Sequence, residues 1–386
     1  MESEHMPKTH RFLPTLHFLF GCRFDVLVRL LWHNRRHILL RRLPQMFWLL
    51  LVSLILWPFA LLEELFCCLF VYPRRLKQDP VFVLGHWRSG TTYLHNLLCC
   101  DPSLAYFDPV AAYTPSNYLL LSPVIRLVLG GNLQQARHMD NMDYGVNSPS
   151  EEGFAVSNRM SRAFMHLLTF PQQFQEYLDY AFVDSLSPSL QRKNAGVYRR
   201  LYQKVSFKNG GRRLALKSPD HTCHARWLAQ EYPGAKFIHI YRNPYKVIQS
   251  TLNMICQAME FLPLSCTPSQ EEIEDGIIDL YVRIHQTLFR DMESIPPERL
   301  VELKYEEFVK DPLPHLEQIY DRLELEGFAA AEPRMRAHIQ SQQGYQKNRF
   351  SRDEKLIAKI NKKAAFVFAH YGYEMEDTES GLSEQA

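Results

Sequence analysis

Apolar positions crowd the chain as far as Pro80, in two different rhythms. From Phe12 to Arg42 they alternate with Arg23, Asp25, Arg29, Arg35, Arg36, Arg41 and Arg42. That spacing predicts a basic amphipathic helix, of the kind that lies on an anionic membrane or packs with its cationic face to solvent. From Met46 to Leu62 there is no charge, and Trp48 and Trp57 stand near the ends. As a helix this run would extend about 26 Å, a little short of a ~30 Å hydrocarbon core. Pro58, Glu63 and Glu64 interrupt the pattern before a second apolar run, Leu65 to Tyr72.

Segment 1–79 is therefore expected to associate with membrane lipid, as a bent transmembrane helix or as a hairpin dipping into one leaflet. A buried core helix is the bland alternative. Arg35, Arg36, Arg41 and Arg42 precede the uncharged run, and Arg74, Arg75 and Lys77 follow it. If positive charge marks the cytoplasmic side, both flanks claim it, which favours the dip and places the remainder of the chain in the cytoplasm and not in the Golgi lumen. A cleaved signal peptide does not fit, because the apolar run starts too late and no small-residue cleavage pattern follows.

After Pro80 the rhythm changes to short β-rich runs alternating with helical periodicity. Strands are predicted at 81–84, Leu214 to Leu216, Lys236 to Tyr241 and Leu300 to Leu303, each followed by a turn and a helix. This is the pattern of βαβ units around a parallel sheet. Residues 109–208 form a helical insertion, rich in aromatics and methionine, suited to an acceptor pocket or lid. Residues 371–386 read as an acidic tail.

The chemistry concentrates at Val81-Phe-Val-Leu-Gly85-His-Trp-Arg88-Ser89-Gly90-Thr91-Thr92, where a strand runs through a glycine-bounded loop into a helix. Free N–H groups and the positive dipole end of that helix make an anion cradle. The spacing Gly85-x-x-x-x-Gly90 copies a nucleotide-binding P-loop, but Thr91 stands where the lysine belongs, and Arg88 is the cation inside the loop. An arginine fork with several hydroxyls suits a tetrahedral oxyanion without obligatory magnesium, so no metal is implied. Leu216-Lys217-Ser218-Pro219-Asp220-His221 and Tyr241-Arg242-Asn243-Pro244, leading to Ser250, add cations at two further strand ends. In an open parallel sheet that edge binds ligands, so Arg88, Lys217 and Arg242 could converge on one polyanion. Pro244 suits a first helical turn.

The 386 residues, 46% apolar and 22% charged, are enough for one large α/β domain with additions. A net charge of +2 with no basic stripe argues against nucleic acid as a partner. The eight cysteines include Cys67/Cys68 and Cys99/Cys100 in apolar runs, where buried thiols are expected, and no metal-ligand spacing occurs. No asparagine opens a glycosylation sequon. No pattern specifies an oligomeric state.

With these motifs in place, residues 80–370 resemble sulfotransferases that use 3′-phosphoadenosine 5′-phosphosulfate (PAPS), and most closely a branch with G-H-W-R-S-G-T-T, M-D-N, S-P-x-E and K-S-P-x-H motifs. This chain supplies Met139-Asp140-Asn141, Ser148-Pro149-Ser150-Glu151 and Lys217 to His221. The resemblance implies an α/β fold with a P-loop-like parallel sheet flanked by helices, and PAPS as co-substrate. It implies that Gly85, Arg88, Ser89, Gly90, Thr91 and Thr92 hold the 5′-phosphosulfate and that Arg242 through Ser250 hold the 3′-phosphate. Lys347 and Arg349 would return a C-terminal loop to the same phosphate. Tyr305 to Pro312 match a further family stretch to which no chemistry attaches at this level.

Sulfuryl transfer needs a deprotonated acceptor oxygen and cations for the charge that develops, roles assigned to a base and to Lys217 with Arg88. Glu151, Glu152 and His221 all remain open as the base, although Glu151 could merely cap a helix. Members of this branch carry a third acid where this chain has Gly153. The apolar N-terminus and the insertion point to a small-molecule or lipid acceptor, a hydroxylated lipid, sterol or glycolipid. The rivals are a P-loop nucleotide kinase or NTPase, and a non-catalytic membrane-anchored nucleotide-binding protein.

Overall fold

A computed structural model of the chain describes residues 17–130, 145–342 and 352–377. Five parallel strands, β1 (Val81–Leu84), β2 (Leu104–Ala105), β3 (Arg213–Lys217), β4 (Lys236–Tyr241) and β5 (Leu300–Lys304), form one sheet in the order β2-β3-β1-β4-β5. Four of them lie where the sequence predicts. The fifth, β2, has only two residues, too few to leave a hydrophobic rhythm.

β1 is buried along its whole length, as an unbroken apolar run in a central parallel strand should be. Its alternate residues feed two cores. Phe82 and Leu84 join Leu216, Phe237, Tyr202 and Leu228 on one face, while Val81 and Val83 join Ala215, Ile238, Leu94 and Leu97 on the other. Truncating Phe82 to alanine in such a layer would cost about 3–5 kcal/mol. The register sets Val83 opposite Lys217 and Leu84 opposite His239, so the loops after β1, β3 and β4 leave the sheet at one edge.

The N-terminal stretch departs from its expected form. The basic amphipathic segment is divided into a short 3-10 turn at Phe18–Gly21, a helix at Phe24–His33 and another turn at Leu40–Arg42. Pro58 and the two glutamates do not break the apolar run, which continues as one helix, Leu43–Phe70, of 28 residues. By length and composition this is the one helix among the described residues apolar enough to cross a membrane. Protein partners hold its polar groups. Asn117 donates to the Leu56 carbonyl (3.0 Å), and Ser53 donates to the Cys22 carbonyl (2.6 Å). Glu63, fully buried, receives Lys204 Nζ (2.7 Å) and the amides of Leu119 and Leu120 (2.9 Å each). Arg159 holds Glu64 at 2.9 Å.

The cysteines are free thiols, and not all are buried. Of the two pairs expected to be buried, Cys67 is buried, Cys99 and Cys100 are half-buried and Cys68 is exposed, as are Cys256 and Cys266.

Candidate active site

β1 ends at Leu84, and from Gly85 the backbone turns to deliver Thr91 as the first residue of the Thr91–Leu98 helix. Gly90 is the N-cap with φ +104°, and a Cβ there would lie 2.3 Å from Tyr305 Cδ2, so only glycine fits. No side chain caps this helix, which leaves its first N–H groups to face the cavity beyond. Arg88 holds the left-handed conformation at φ +67°, uncommon outside glycine. It is clamped on both sides: its Nε donates to Ser250 Oγ (2.8 Å), and its carbonyl accepts from Arg242 (3.0 Å). The two anion motifs therefore touch each other directly. Asn243, the N-cap of the Pro244–Phe261 helix, accepts from the Lys246 amide, with Pro244 in the first turn as expected.

Two residues outside the expected set hold this geometry. Thr222, fully buried, accepts from the Gly85 amide (2.8 Å) and donates to the Gly85 carbonyl (3.1 Å). Tyr305 lies under the Arg242 guanidinium at 4.4 Å, and its neighbour Glu306 accepts from the Asn243 amide (3.1 Å). The Tyr305 stretch thus positions the second phosphate motif, a role visible in the sequence only as an unexplained family match.

Lys217 ends β3 as a buried cation, not a solvated one. Its Nζ donates to Glu151 Oε1 at 2.5 Å and lies 3.4 Å from Thr92 Oγ1. Glu151 stands at the N-cap of the Glu152–Ser157 helix without making a capping bond, so its side chain is given to Lys217 instead. Glu152 and His221 lie elsewhere, fully buried, with Oε1 and Nε2 3.2 Å apart. The His221 ring packs edge-on against Phe82 of the core, 5.2 Å between centroids. Burial pushes the Glu152 carboxyl well above the usual carboxylate range, reinforced by Asp220 and Glu151. Burial likewise holds His221 well below the usual imidazole value, with His224 and Lys217 adding to it. Both shifts favour the uncharged forms. Gly153 follows them into the interior, where a Cβ would meet Ser218 Oγ at 2.7 Å, so the third acid of the resemblance has no room here.

One cavity of about 520 Å³ gathers these elements. Arg88, Gly90, Thr91, Thr92, Arg242 and Tyr305 line one part of it, and Trp87, Phe154, Met165, Leu167, Met254 and Ile255 line another. Among the described residues, Glu151 is the only carboxylate on the lining. Gly85, Ser89 and Ser250 support the cradle without lining the cavity: Ser89 Oγ donates to the His86 carbonyl (2.8 Å) and Ser250 holds Arg88. Met139-Asp140-Asn141, Lys347 and Arg349 lie outside the described residues.

The comparisons agree with this geometry. A model described as the sulfotransferase family matches residues 80–330. Proteins of Mycobacterium bovis and Mycobacterium tuberculosis, each named omega-hydroxy-beta-dihydromenaquinone-9 sulfotransferase Stf3, are 27% identical over 376 residues, covering 93% of this chain and 92% of theirs. In fold, the chain is similar to sulfotransferase STF9 of Mycobacterium avium, with a TM-score of 0.64 and 20% identity over 81% of this chain and 82% of that one. It is also similar to sulfotransferase STF1 of Mycobacterium tuberculosis, with a TM-score of 0.62 and 18% identity over 83% and 88%. An anion cradle at the edge of a parallel sheet and a family match across most of the α/β body converge on one conclusion: the chain belongs to the sulfotransferase family and is an enzyme that transfers sulfate.

Proposed function

We propose that this enzyme moves a sulfuryl group from PAPS to a hydroxyl of a lipid-like acceptor at a membrane. The observation that carries this reading is the direct contact between the two anion motifs, Arg88 to Ser250 and Arg242 to Arg88, on a cavity whose other part is apolar. The donor set fits PAPS, with two arginines, threonine hydroxyls and an uncapped helix N-terminus for its separated anionic groups. Arg88, Gly90, Thr91 and Thr92 would hold the 5′-phosphosulfate and Arg242 the 3′-phosphate, with Ser250 holding Arg88 from behind. PAPS supplies a sulfuryl group already attached to a phosphate leaving group.

The chain's own residues do the remainder. Glu151 faces the cavity and takes the proton of the acceptor hydroxyl, ending as the carboxylic acid. Lys217, bound to Glu151 and near Thr92, holds that carboxylate in place and supplies positive charge beside the cradle. Glu152 and His221, shut in the core away from the cavity, are set aside as bases.

The acceptor reading rests on the apolar walls. Met165, Leu167 and Ile255 of the cavity belong to the same hydrophobic cluster as Leu49 of the Leu43–Phe70 helix, which supports an apolar acceptor entering from that side. The mycobacterial relatives are named for a hydroxylated dihydromenaquinone, an acceptor of this class. Mass spectrometry of lipid extracts incubated with PAPS and the purified enzyme tests the proposal. The expected result is a sulfated lipid product that disappears in Arg88→Ala. Undiminished product in that variant would overturn the reading.

A further inference from the structure

We infer that the enzyme docks on an anionic bilayer with the Leu43–Phe70 helix lying in the membrane plane, and that a basic cavity beside this helix receives an anionic phospholipid headgroup. The inference shares with the proposed function only the membrane setting of the acceptor.

The helix has two unlike sides. Ser53, Glu63 and Cys67 face the protein, while Phe47, Ile55, Leu62, Leu65 and Leu69 are exposed. The exposed side runs from one end of the helix to the other, and Cys68 is exposed with it. It continues onto the Ser122–Gly130 helix, where Val124, Leu127 and Val128 also face out. The two helices meet at Glu63, which binds the Leu119 and Leu120 amides just before the second one begins. So much contiguous apolar surface, fixed in place, marks an interaction site.

A spanning orientation fits this arrangement poorly. A helix of 28 residues is about 42 Å long, beyond a ~30 Å hydrocarbon core. To be wrapped in lipid it would have to leave Lys204, Arg159, Asn117 and the Leu119 and Leu120 amides, exposing two glutamates to hydrocarbon. Lying in the plane, it buries only the side that the protein leaves bare.

Charge selects the kind of membrane. Arg35, Arg36 and Arg41 are exposed before the helix, and Arg74, Arg75 and Lys77 after it. Beside its C-terminal half a cavity of about 320 Å³ is lined by Arg23, Arg159, Arg192, Lys193, Arg200 and Lys204, together with Tyr72. Three carboxylates answer these six cations: Asp25 binds Arg23, Glu63 binds Lys204, and Glu64 lies 2.9 Å from Arg159 and 3.5 Å from Arg200. The surplus positive charge sits at the rim of an apolar face, where phospholipid phosphates lie.

The test is co-sedimentation of the full chain with acceptor-free vesicles of phosphatidylcholine, with and without phosphatidylglycerol. Binding should require phosphatidylglycerol, and should fall tenfold or more both in Leu62→Gln/Leu65→Gln/Leu69→Gln and in Arg192→Ala/Lys193→Ala/Arg200→Ala. All six residues are solvent-facing, so unchanged thermal melts will show that the fold is kept. Equal binding to both vesicle types, or an unaffected basic triple variant, would overturn the headgroup site. Nitroxide labels at Phe47→Cys, Phe59→Cys and Leu69→Cys should report one shallow depth. A deep label at position 59 between two shallow ones would instead establish a span. Because neither donor nor acceptor is present, failure here leaves the sulfate-transfer reading untouched, and failure of that reading leaves vesicle binding unchanged.

Discussion

Arg88 and Ser250 stand 162 residues apart in the chain, and the guanidinium Nε of one donates to the hydroxyl of the other across 2.8 Å. The bond couples the loop that would grip the donor's sulfate end to the helix that would grip its far phosphate. Ser250→Ala removes the acceptor and leaves Arg88 in place. A hydrogen bond to a charged group contributes ~1.5–3 kcal/mol, so the Michaelis constant for PAPS should rise about 10- to 100-fold, with a smaller change in kcat. Arg88→Lys should not rescue, since a lysine has no Nε fork to meet Ser250. Steady-state kinetics at varied PAPS separates the two parameters, and an unchanged KM in Ser250→Ala would remove the coupling.

Glu151 and Glu152 are neighbours in sequence with opposite surroundings, one on the cavity beside Lys217 and one sealed in the core. If Glu151 is the base, Glu151→Gln should lower kcat by about 10²- to 10⁴-fold while PAPS binding, read by calorimetry, stays near normal. Glu152→Gln should retain most activity. Equal collapse of kcat in a folded Glu152→Gln protein would transfer the role.

Glu152 also governs stability against pH. In the unfolded chain its carboxyl ionises above about 4.5, whereas in the folded protein burial keeps it protonated well beyond that. As pH climbs past 4.5 the unfolded state sheds a proton that the native state retains, so this residue lowers stability progressively. His221 acts with the opposite sign: the unfolded imidazole takes up a proton below about 6.5 and the buried one does not, so stability falls as pH drops through that value. Glu152→Gln should therefore match the parent near about pH 4 and melt at a higher temperature near about pH 7. Calorimetric melts across that range check the divergence, and parallel curves would refute it.

Lys204 and Glu63 form a buried ion pair 2.7 Å long that fastens the Leu43–Phe70 helix to the α/β body. Lys204→Met strands a buried carboxylate and should cost about 3–5 kcal/mol. Adding Glu63→Gln restores neutrality and keeps an oxygen for the Leu119 and Leu120 amides, so most of the loss should be recovered. Urea denaturation of the two single variants and the double one completes the cycle, in which additive losses would mean no coupling.

The sequence carried more of the sheet than of the site. β1 and β4 could be placed to the residue, because a buried parallel strand is a continuous apolar run between turn signals. The Leu43–Phe70 helix could not, since Glu63 and Glu64 look like stops until Lys204 and Arg159 arrive from elsewhere. The same limit applies to the base. Glu151, Glu152 and His221 differ in burial, and burial depends on the insertion and on β3, not on their immediate neighbours. Thr222 and Tyr305 went unassigned because each acts only through a distant glycine or arginine.

The strand order β3-β1-β4 puts Lys217, Arg88 and Arg242 at the ends of three adjacent strands, none of which is consecutive with its neighbour along the chain. No fragment shorter than residues 88–242 contains all three. The fold must therefore close its longest loops before the cations stand side by side, a slow step for a topology so rich in distant pairings. Arg88 and Arg242 meet only in that closed fold, where Lys217 is already paired with Glu151. Nucleotide present during refolding should consequently raise the folded fraction, because only the closed fold offers it a complete site.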